Sequence, residues 1–211
     1  KEEGMLKRGA SGEAYRPRFS ILNPALTQTL PPYQTACGIT DIICHLYERY
    51  LTNTTSVETT DRMIEGLILA MVKETPRVIA DPNNYEARAN IMWAGMMAHN
   101  NSCGVGRSQD WTSHNLEHEL SAKYDCAHGA GLAVAMPAVF RYTMKHDINR
   151  FAKIAVRVWG CQMDYDNPKL VYSLYCKLVD KRVFKSPEGF LYLLHLQDYL
   201  NQNEDALPAP V

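Results

Sequence analysis

The chain has 211 residues, of which 46% are hydrophobic, and a formal net charge of −1. This composition is ordinary for a globular protein, and the balanced charge argues against a nucleic-acid or acidic-membrane partner. The longest apolar stretch, GAGLAVAMPAVF at 129–140, is too short to span a bilayer, which argues against a membrane protein.

The N-terminal sequence, KEEGMLKRG, has no initiating Met and no charged-then-apolar leader with a cleavage site. We therefore expect a cytoplasmic chain that is entered midway. The six cysteines form no CxxC pair, so we expect reduced, mostly buried thiols rather than disulfides.

The first predicted element is a strand around Arg18 to Leu22, which ends before Pro24 because proline removes a ladder donor. After Pro31 and Pro32, apolar residues recur at helical spacing. They predict six helices, over 33–51, 57–80, 85–100, 111–124, 129–144 and 148–160. The predicted fold class is therefore all-α, with one orphan N-terminal strand whose sheet partners would precede Lys1.

Two positions are predicted to shape these helices. Pro76 is expected to kink or restart the second helix, and Ser113 to cap the fourth. After Pro168 the sequence becomes aromatic-rich and ends in a polar tail that contains prolines.

Asp41 and His45 lie four residues apart on an otherwise apolar face of the first predicted helix. A carboxylate is costly to bury there without a cation or hydrogen-bond donors. The alternative interpretation places Asp41 on the outer face and His45 in solvent beside Glu48 and Arg49.

Three more histidines fall within the fifteen residues HNLEHELSAKYDCAH at 114–128. His114 and His118 are i, i+4 and leave one helix face, which alone is compatible with a polar surface or a hydrogen-bonded core. His128 precedes the flexible GAG stretch, which could return its ring to that helix.

Together the pairs Asp41/His45 and His114/His118 offer three imidazoles and one carboxylate. This set suits a divalent transition metal, whereas Ca²⁺ and Mg²⁺ prefer oxygen ligands. The other histidines, His99, His146 and His195, are expected to be surface or capping residues.

The stretches LNPALTQTLPPYQTACGITDIICHLYERY and SHNLEHELSAKYDCAHGAGLAVAMPAVFRY closely resemble the iron-containing alcohol dehydrogenase family, in particular its NADP-linked butanol dehydrogenase-like branch. The resemblance covers roughly residues 1–167. It implies an all-helical metal-binding domain of the dehydroquinate synthase-like type. It divides the chain into a remnant of the nucleotide-binding domain and hinge (1–32), the helical catalytic domain (33–167) and a divergent tail (168–211).

The resemblance also implies site residues. Metal ligands fall on Asp41, His45, His114 and His128, and His118 matches a candidate proton relay. Cofactor contacts fall on residues of the first thirty positions: Lys7, Thr27, Thr29 and Leu30.

The implied cofactors are Fe²⁺, with Zn²⁺ also compatible with these ligands, and NADP or NAD. The implied reaction is reversible oxidation of a butanol-like primary alcohol to an aldehyde, with the metal as Lewis acid, in an enzyme that is a homodimer when whole. The GGGS phosphate-binding turn of the family has no counterpart in the sequence. Two other hypotheses are therefore compatible with the sequence: a non-catalytic metal-binding remnant and a helical metal-dependent hydrolase.

Overall fold

The structure is a computed structural model that describes residue 4 and residues 7–161. The predicted tail at 168–211 lies outside the described residues. Within them the regular elements are six α-helices and three short 3-10 turns. The helices are α1 (Pro32–Tyr50), α2 (Glu58–Ala80), α3 (Tyr85–His99), α4 (Thr112–Tyr124), α5 (His128–Thr143) and α6 (Ile148–Arg157).

The all-α prediction is confirmed for this part of the chain, and the strand predicted at 18–22 is not present in it. These residues have no regular secondary structure, and Phe19 and Ile21 are more than four-fifths exposed. A strand is stabilised by ladder hydrogen bonds to a neighbour. No described segment makes a backbone hydrogen bond to residues 18–22.

Helix α1 lies at the centre of the fold and contacts α2, α3, α4 and α5. Its apolar residues are buried on several sides, with Ile39, Ile43 and Leu46 at 1% exposure or less. A helix covered on most of its surface leaves few positions for polar side chains. Asp41 and His45 occupy part of the remaining, half-buried face.

The helix ends follow local sequence signals at two places and tertiary contacts at a third. The side chains of Asn84 and Asp147 cap α3 and α6 by accepting backbone N–H bonds. The predicted Ser113 cap is wrong, because Ser113 lies inside α4 and its N–H donates to Glu48 Oε1 at 2.8 Å. Helix α2 continues through Pro76 without a restart.

A buried ion network joins α2 to α6 and to the segment before α4. The Asp61 carboxylate, 1% exposed, contacts Arg107, Arg150 and Lys153. No helix in the described part of the chain is long and apolar enough to cross a membrane.

Candidate metal centre

Helix α1 presents three functional side chains on one face. Asp41, His45 and Glu48 follow one another at intervals of four and three residues, so they lie on successive turns of the same stripe. The Asp41 and His45 side chains are 22% and 18% exposed, and that of Glu48 is 4% exposed. The alternative of an outward Asp41 and a solvated His45 is therefore wrong.

Imidazole nitrogens converge on one oxygen of Asp41. The Nε2 atoms of His114, His128 and His45 lie 3.2, 3.3 and 3.6 Å from Asp41 Oδ1. The structure thus brings together all four predicted ligands, from α1, α4 and α5. That these four residues bind a metal stays a prediction.

Close packing, rather than a flexible loop, places His128. This residue is the first of α5, and the next residue, Gly129, lies against the backbone carbonyl of Cys37 in α1. A Cβ at Gly131 would stand 2.6 Å from Glu117 Oε1. The two glycines therefore let α5 approach α1 and α4 closely enough for the His128 ring to reach Asp41.

Two buried glutamates contact the far side of two of these rings. The Nδ1 atom of His114 contacts the Glu48 carboxylate, and the Nδ1 atom of His128 contacts the Glu117 carboxylate. A carboxylate that accepts the Nδ1 proton leaves the Nε2 lone pair free to bind a metal. Both Nε2 atoms face Asp41, so the tautomers that these contacts favour are those a ligand needs.

His45 has a different partner. Its Nδ1 atom lies 3.4 Å from the Arg49 guanidinium, and its ring packs against those of His99 and His114, with centroids 4.0 and 4.3 Å apart. Burial, together with the neighbouring His99, lowers the pKa of His45 to about 3. His45 is therefore a neutral imidazole, the form that binds metals.

The contacts within the cluster also determine the charges of Asp41 and His114. Burial alone would raise the pKa of Asp41, but hydrogen bonds from His114, His128 and His99 hold it well below its usual range. Burial alone would lower the pKa of His114, but its contacts with Asp41 and Glu48 raise it to about 9. Since ligands bind metals in the deprotonated form, metal binding here would release a proton from His114.

His118 lies beside this cluster, not in it. Its ring stacks on that of His128 with centroids 5.1 Å apart, and its Nδ1 atom is 3.6 Å from the Glu117 carboxylate. The side chain is 45% exposed. Burial and the nearby charge of Lys7 lower the pKa of His118, so a neutral ring stands between the cluster and solvent.

The predicted cofactor residues are placed in two locations. The Lys7 Nζ atom donates to Ser121 Oγ at 2.9 Å and lies 3.6 Å from Glu117, beside the histidines. Thr27, Thr29 and Leu30 lie on or just after a short 3-10 turn before α1. Among the described contacts, none joins these three residues to the histidine cluster.

Three neighbours of the cluster are not identified from the sequence: Glu48, Glu117 and His99. The glutamates carried a usable signal, because Glu48 is seven residues after Asp41 and Glu117 three after His114, on the same helix faces. His99 carried none, because it reaches the site through the packing of α3 on α1. As expected, it is an exposed residue at the end of α3, but its Nε2 atom also lies 3.0 Å from Asp41 Oδ2.

The cluster has the chemistry of a transition-metal site. Three imidazoles and a carboxylate converge, and the two glutamates that contact the rings of His114 and His128 are buried, with Glu117 at 0% exposure. Glu117 Oε1 and His118 Nδ1 are buried without a hydrogen-bond partner. Buried carboxylates without enough donors are costly, and a divalent cation held by Asp41 and the three imidazoles would offset that negative charge.

The chain matches the Fe-containing alcohol dehydrogenase family, C-terminal, over residues 35–184. Over 165 residues it is 39% identical to NADH-dependent butanol dehydrogenase B of Clostridium acetobutylicum, covering 78% of this chain and 42% of that protein. It is 36% identical to the NADPH-dependent aldehyde reductase YqhD of Escherichia coli, covering 74% and 40%.

Solved structures agree with these matches. A crystal structure of NADH-dependent butanol dehydrogenase A from Thermotoga maritima superposes with a TM-score of 0.75 and 33% identity, over 93% of this chain and 53% of that one. The chain therefore spans about two fifths of the length of the curated relatives given above.

Proposed function

Since the chain belongs to the iron-containing alcohol dehydrogenase family, whose C-terminal part it matches, we propose that it forms the metal-binding part of an NAD(P)-linked dehydrogenase. The proposed reaction interconverts a butanol-like primary alcohol and its aldehyde. One observation carries the proposal: three imidazole nitrogens lie within 3.2–3.6 Å of one oxygen of the Asp41 carboxylate.

The metal ligands that we propose are Asp41, His45, His114 and His128. Fe²⁺ is the metal favoured by the family, and imidazole with carboxylate suits Zn²⁺ equally well. When bound, the ion supplies a Lewis acid for the alcohol or carbonyl oxygen.

The chain's own residues have distinct tasks in this proposal. Glu48 and Glu117 accept the Nδ1 protons of His114 and His128. This leaves the Nε2 lone pairs of both rings facing Asp41. His118, neutral and partly exposed, carries the proton between the alcohol and solvent. Its position against His128 supports this role, since a proton carrier must be within reach of the reacting oxygen.

The proposed nicotinamide cofactor is inferred from the relatives. Both an NADH-dependent and an NADPH-dependent relative match at similar identity, so either nicotinamide is compatible. We propose that Lys7, Thr27, Thr29 and Leu30 contact it. The ammonium group of Lys7 lies beside Ser121 on α4, close to His118, which supports an anionic group of the cofactor binding near this helix.

Metal analysis tests the site. The wild-type protein should retain one equivalent of Fe²⁺ or Zn²⁺, and Asp41→Ala and His114→Ala should each lose it. Undiminished metal in both variants would overturn the assignment.

Turnover tests the reaction. In the dehydrogenase of which this chain forms the metal-binding part, we expect oxidation of NADH or NADPH with butanal, and none after Asp41→Ala. Metal retention without reduction would favour a non-catalytic metal-binding protein, and metal-dependent phosphoester hydrolysis would favour a hydrolase.

A further inference from the structure

Trp111, which directly precedes α4, is an aromatic side chain that borders the histidine cluster. Its ring meets those of His45 and His114 edge to face, with centroids 5.2 and 5.6 Å apart. The Arg49 guanidinium lies over the same ring, 4.6 Å from its centroid. These contacts fix the ring, yet Trp111 is only half-buried, so part of its apolar surface faces solvent beside two proposed ligands.

The surroundings of the cluster differ in polarity from one side to the other. On one side the His118 ring stacks on that of His128, with the charge of Lys7 nearby. We assign the proton and the cofactor to that side. Trp111 lies against His45 and has no described ring contact with either histidine of the polar side. An alcohol whose oxygen is held at the cluster therefore has an apolar surface for its carbon chain at Trp111.

We propose that Trp111 is a specificity-determining residue, whose exposed ring surface receives the linear alkyl chain of the alcohol or aldehyde. This inference rests on the proposed function, because it presumes that a metal ion holds the substrate oxygen within the cluster. A methylene group that is fully removed from water increases affinity about fourfold. The tryptophan ring is a large and rigid apolar surface on which several methylene groups can lie.

A purely structural task for Trp111 is the competing interpretation. In that case the ring serves only to support the His45 imidazole and to cover the guanidinium of Arg49, which is 3% exposed. Removing such a support would weaken the metal site and every substrate to the same degree. Contact with the substrate chain instead gives an effect that grows with chain length. The dependence of affinity on chain length therefore separates the two interpretations.

Alkyl hydroxamates are suitable probes, because the hydroxamate group binds an accessible metal ion and the chain length can be varied. Metal-free full chains would be loaded with Co²⁺ and titrated with acetohydroxamate, butanohydroxamate and hexanohydroxamate, followed by visible absorption. Trp111→Ala removes the ring, and Trp111→Phe keeps an aromatic surface. Trp93→Ala is the matched control, because Trp93 is 58% exposed on α3 and has no described ring contact with the cluster.

We expect wild type and Trp93→Ala to bind the longer hydroxamates about two- to fourfold more tightly per added methylene. Trp111→Phe should keep most of this gain, and Trp111→Ala should bind the three hydroxamates with nearly equal affinity. As a second measurement, hexanohydroxamate with a terminal bromine should quench the tryptophan fluorescence of wild type more than that of Trp111→Phe, because bromine quenches by contact. This measurement does not depend on the fold of Trp111→Ala.

Other outcomes overturn the inference. Affinity that is independent of chain length in wild type, or that rises equally in wild type and Trp111→Ala, would show that the chain does not lie on this ring. An equal loss for all three hydroxamates in Trp111→Ala would make Trp111 a support for His45 alone. Equal quenching in wild type and Trp111→Phe would also contradict the contact. Absence of Co²⁺ binding by wild type would instead overturn the proposed function.

Discussion

The Glu48 carboxylate contacts both the backbone N–H and the ring of His114. One oxygen of the Glu48 carboxylate accepts the N–H of His114 at 3.2 Å and that of Ser113 at 2.8 Å, and the other contacts His114 Nδ1. A single side chain of α1 therefore accepts two of the free N–H groups in the first turn of α4 and favours one tautomer of a proposed ligand. In this way, the helix packing and the candidate site depend on the same contact.

Glu48→Gln should separate these two tasks. The amide oxygen can still accept the backbone N–H groups, but the amide nitrogen is a donor and opposes a protonated Nδ1 of His114. We expect metal affinity to fall about 10–100-fold and the metal-free protein to lose less stability than in Glu48→Ala, because the backbone N–H groups keep their acceptor. Competition titration and thermal unfolding measure the two effects.

Two further variants complete that experiment. Glu48→Ala should lower both metal affinity and stability, because it leaves buried donors without acceptors. Glu119→Gln, which removes an exposed charge from α4, should change neither metal affinity nor stability. Wild-type affinity in Glu48→Gln would contradict the proposed role of the carboxylate.

Gly129→Ala should disturb the site through the backbone. The new methyl group would meet the main-chain carbonyl of Cys37, so α5 must move away from α1 and take His128 with it. We expect a loss of about 1–3 kcal/mol in the free energy of unfolding, as for overpacked cores, and weaker metal binding. Urea denaturation and metal titration measure these changes.

Gly66→Ala is the matched control for that variant. Gly66 lies in α2 with no atom within 4 Å of the added methyl group. This substitution should stabilise the protein by about 0.5–1 kcal/mol, since alanine is the better helix former. Equal effects of the two substitutions would rule out the close approach of α5 as the cause.

Helical spacing gave most of the fold and part of the site. The periodic segments predicted all six helices of the described residues to within a few positions, because most of these helices bury apolar side chains at helical spacing. The pairs Asp41/His45 and His114/His118 were evident for the same reason. No strand forms at 18–22 among the described residues, because β-branched and aromatic residues indicate a strand only when a partner is present.

The remaining features depend on tertiary contacts that spacing does not encode. His99 reaches Asp41 only because α3 packs on α1, 58 residues away in sequence. Likewise, α4 begins at a glutamate from another helix, so the local cap signal at Ser113 was misleading. The glycines after His128 were interpreted as flexible, although their effect is to allow close packing.

His118 and His128 should respond differently to the same substitution. His128→Phe should abolish metal binding, because it removes a proposed ligand. His118→Phe preserves an aromatic ring stacked on His128 and should retain one equivalent of metal. In the active enzyme its turnover should fall about 10²–10⁴-fold, the usual contribution of a general acid–base group.

Metal content and butanal reduction, measured on the same preparations, check both expectations. Loss of metal in His118→Phe would make His118 a ligand. Full activity in that variant would remove it from the proton path.

Asp61 should make the stability of the fold depend on pH. Burial alone would raise the pKa of this carboxyl, but hydrogen bonds from Arg150, Lys153 and Arg107 hold it well below its usual range. The folded state thus favours the ionised form more strongly than the unfolded chain does. This stabilisation is fully present above the unfolded pKa of about 4 and is lost as the pH falls below it.

Asp61→Asn removes the charge and leaves buried cations without their partner, so we expect a loss of about 3–5 kcal/mol at pH 7. Between about pH 4 and pH 2, the stability of the variant should also fall less than that of wild type. Urea denaturation of the metal-free proteins across this range measures both effects. Glu86→Gln is the control, because Glu86 is 82% exposed and pairs only loosely with Arg77 at 3.5 Å. Parallel pH profiles for wild type and Asp61→Asn would show that the network around Asp61 does not control the acid stability of this fold.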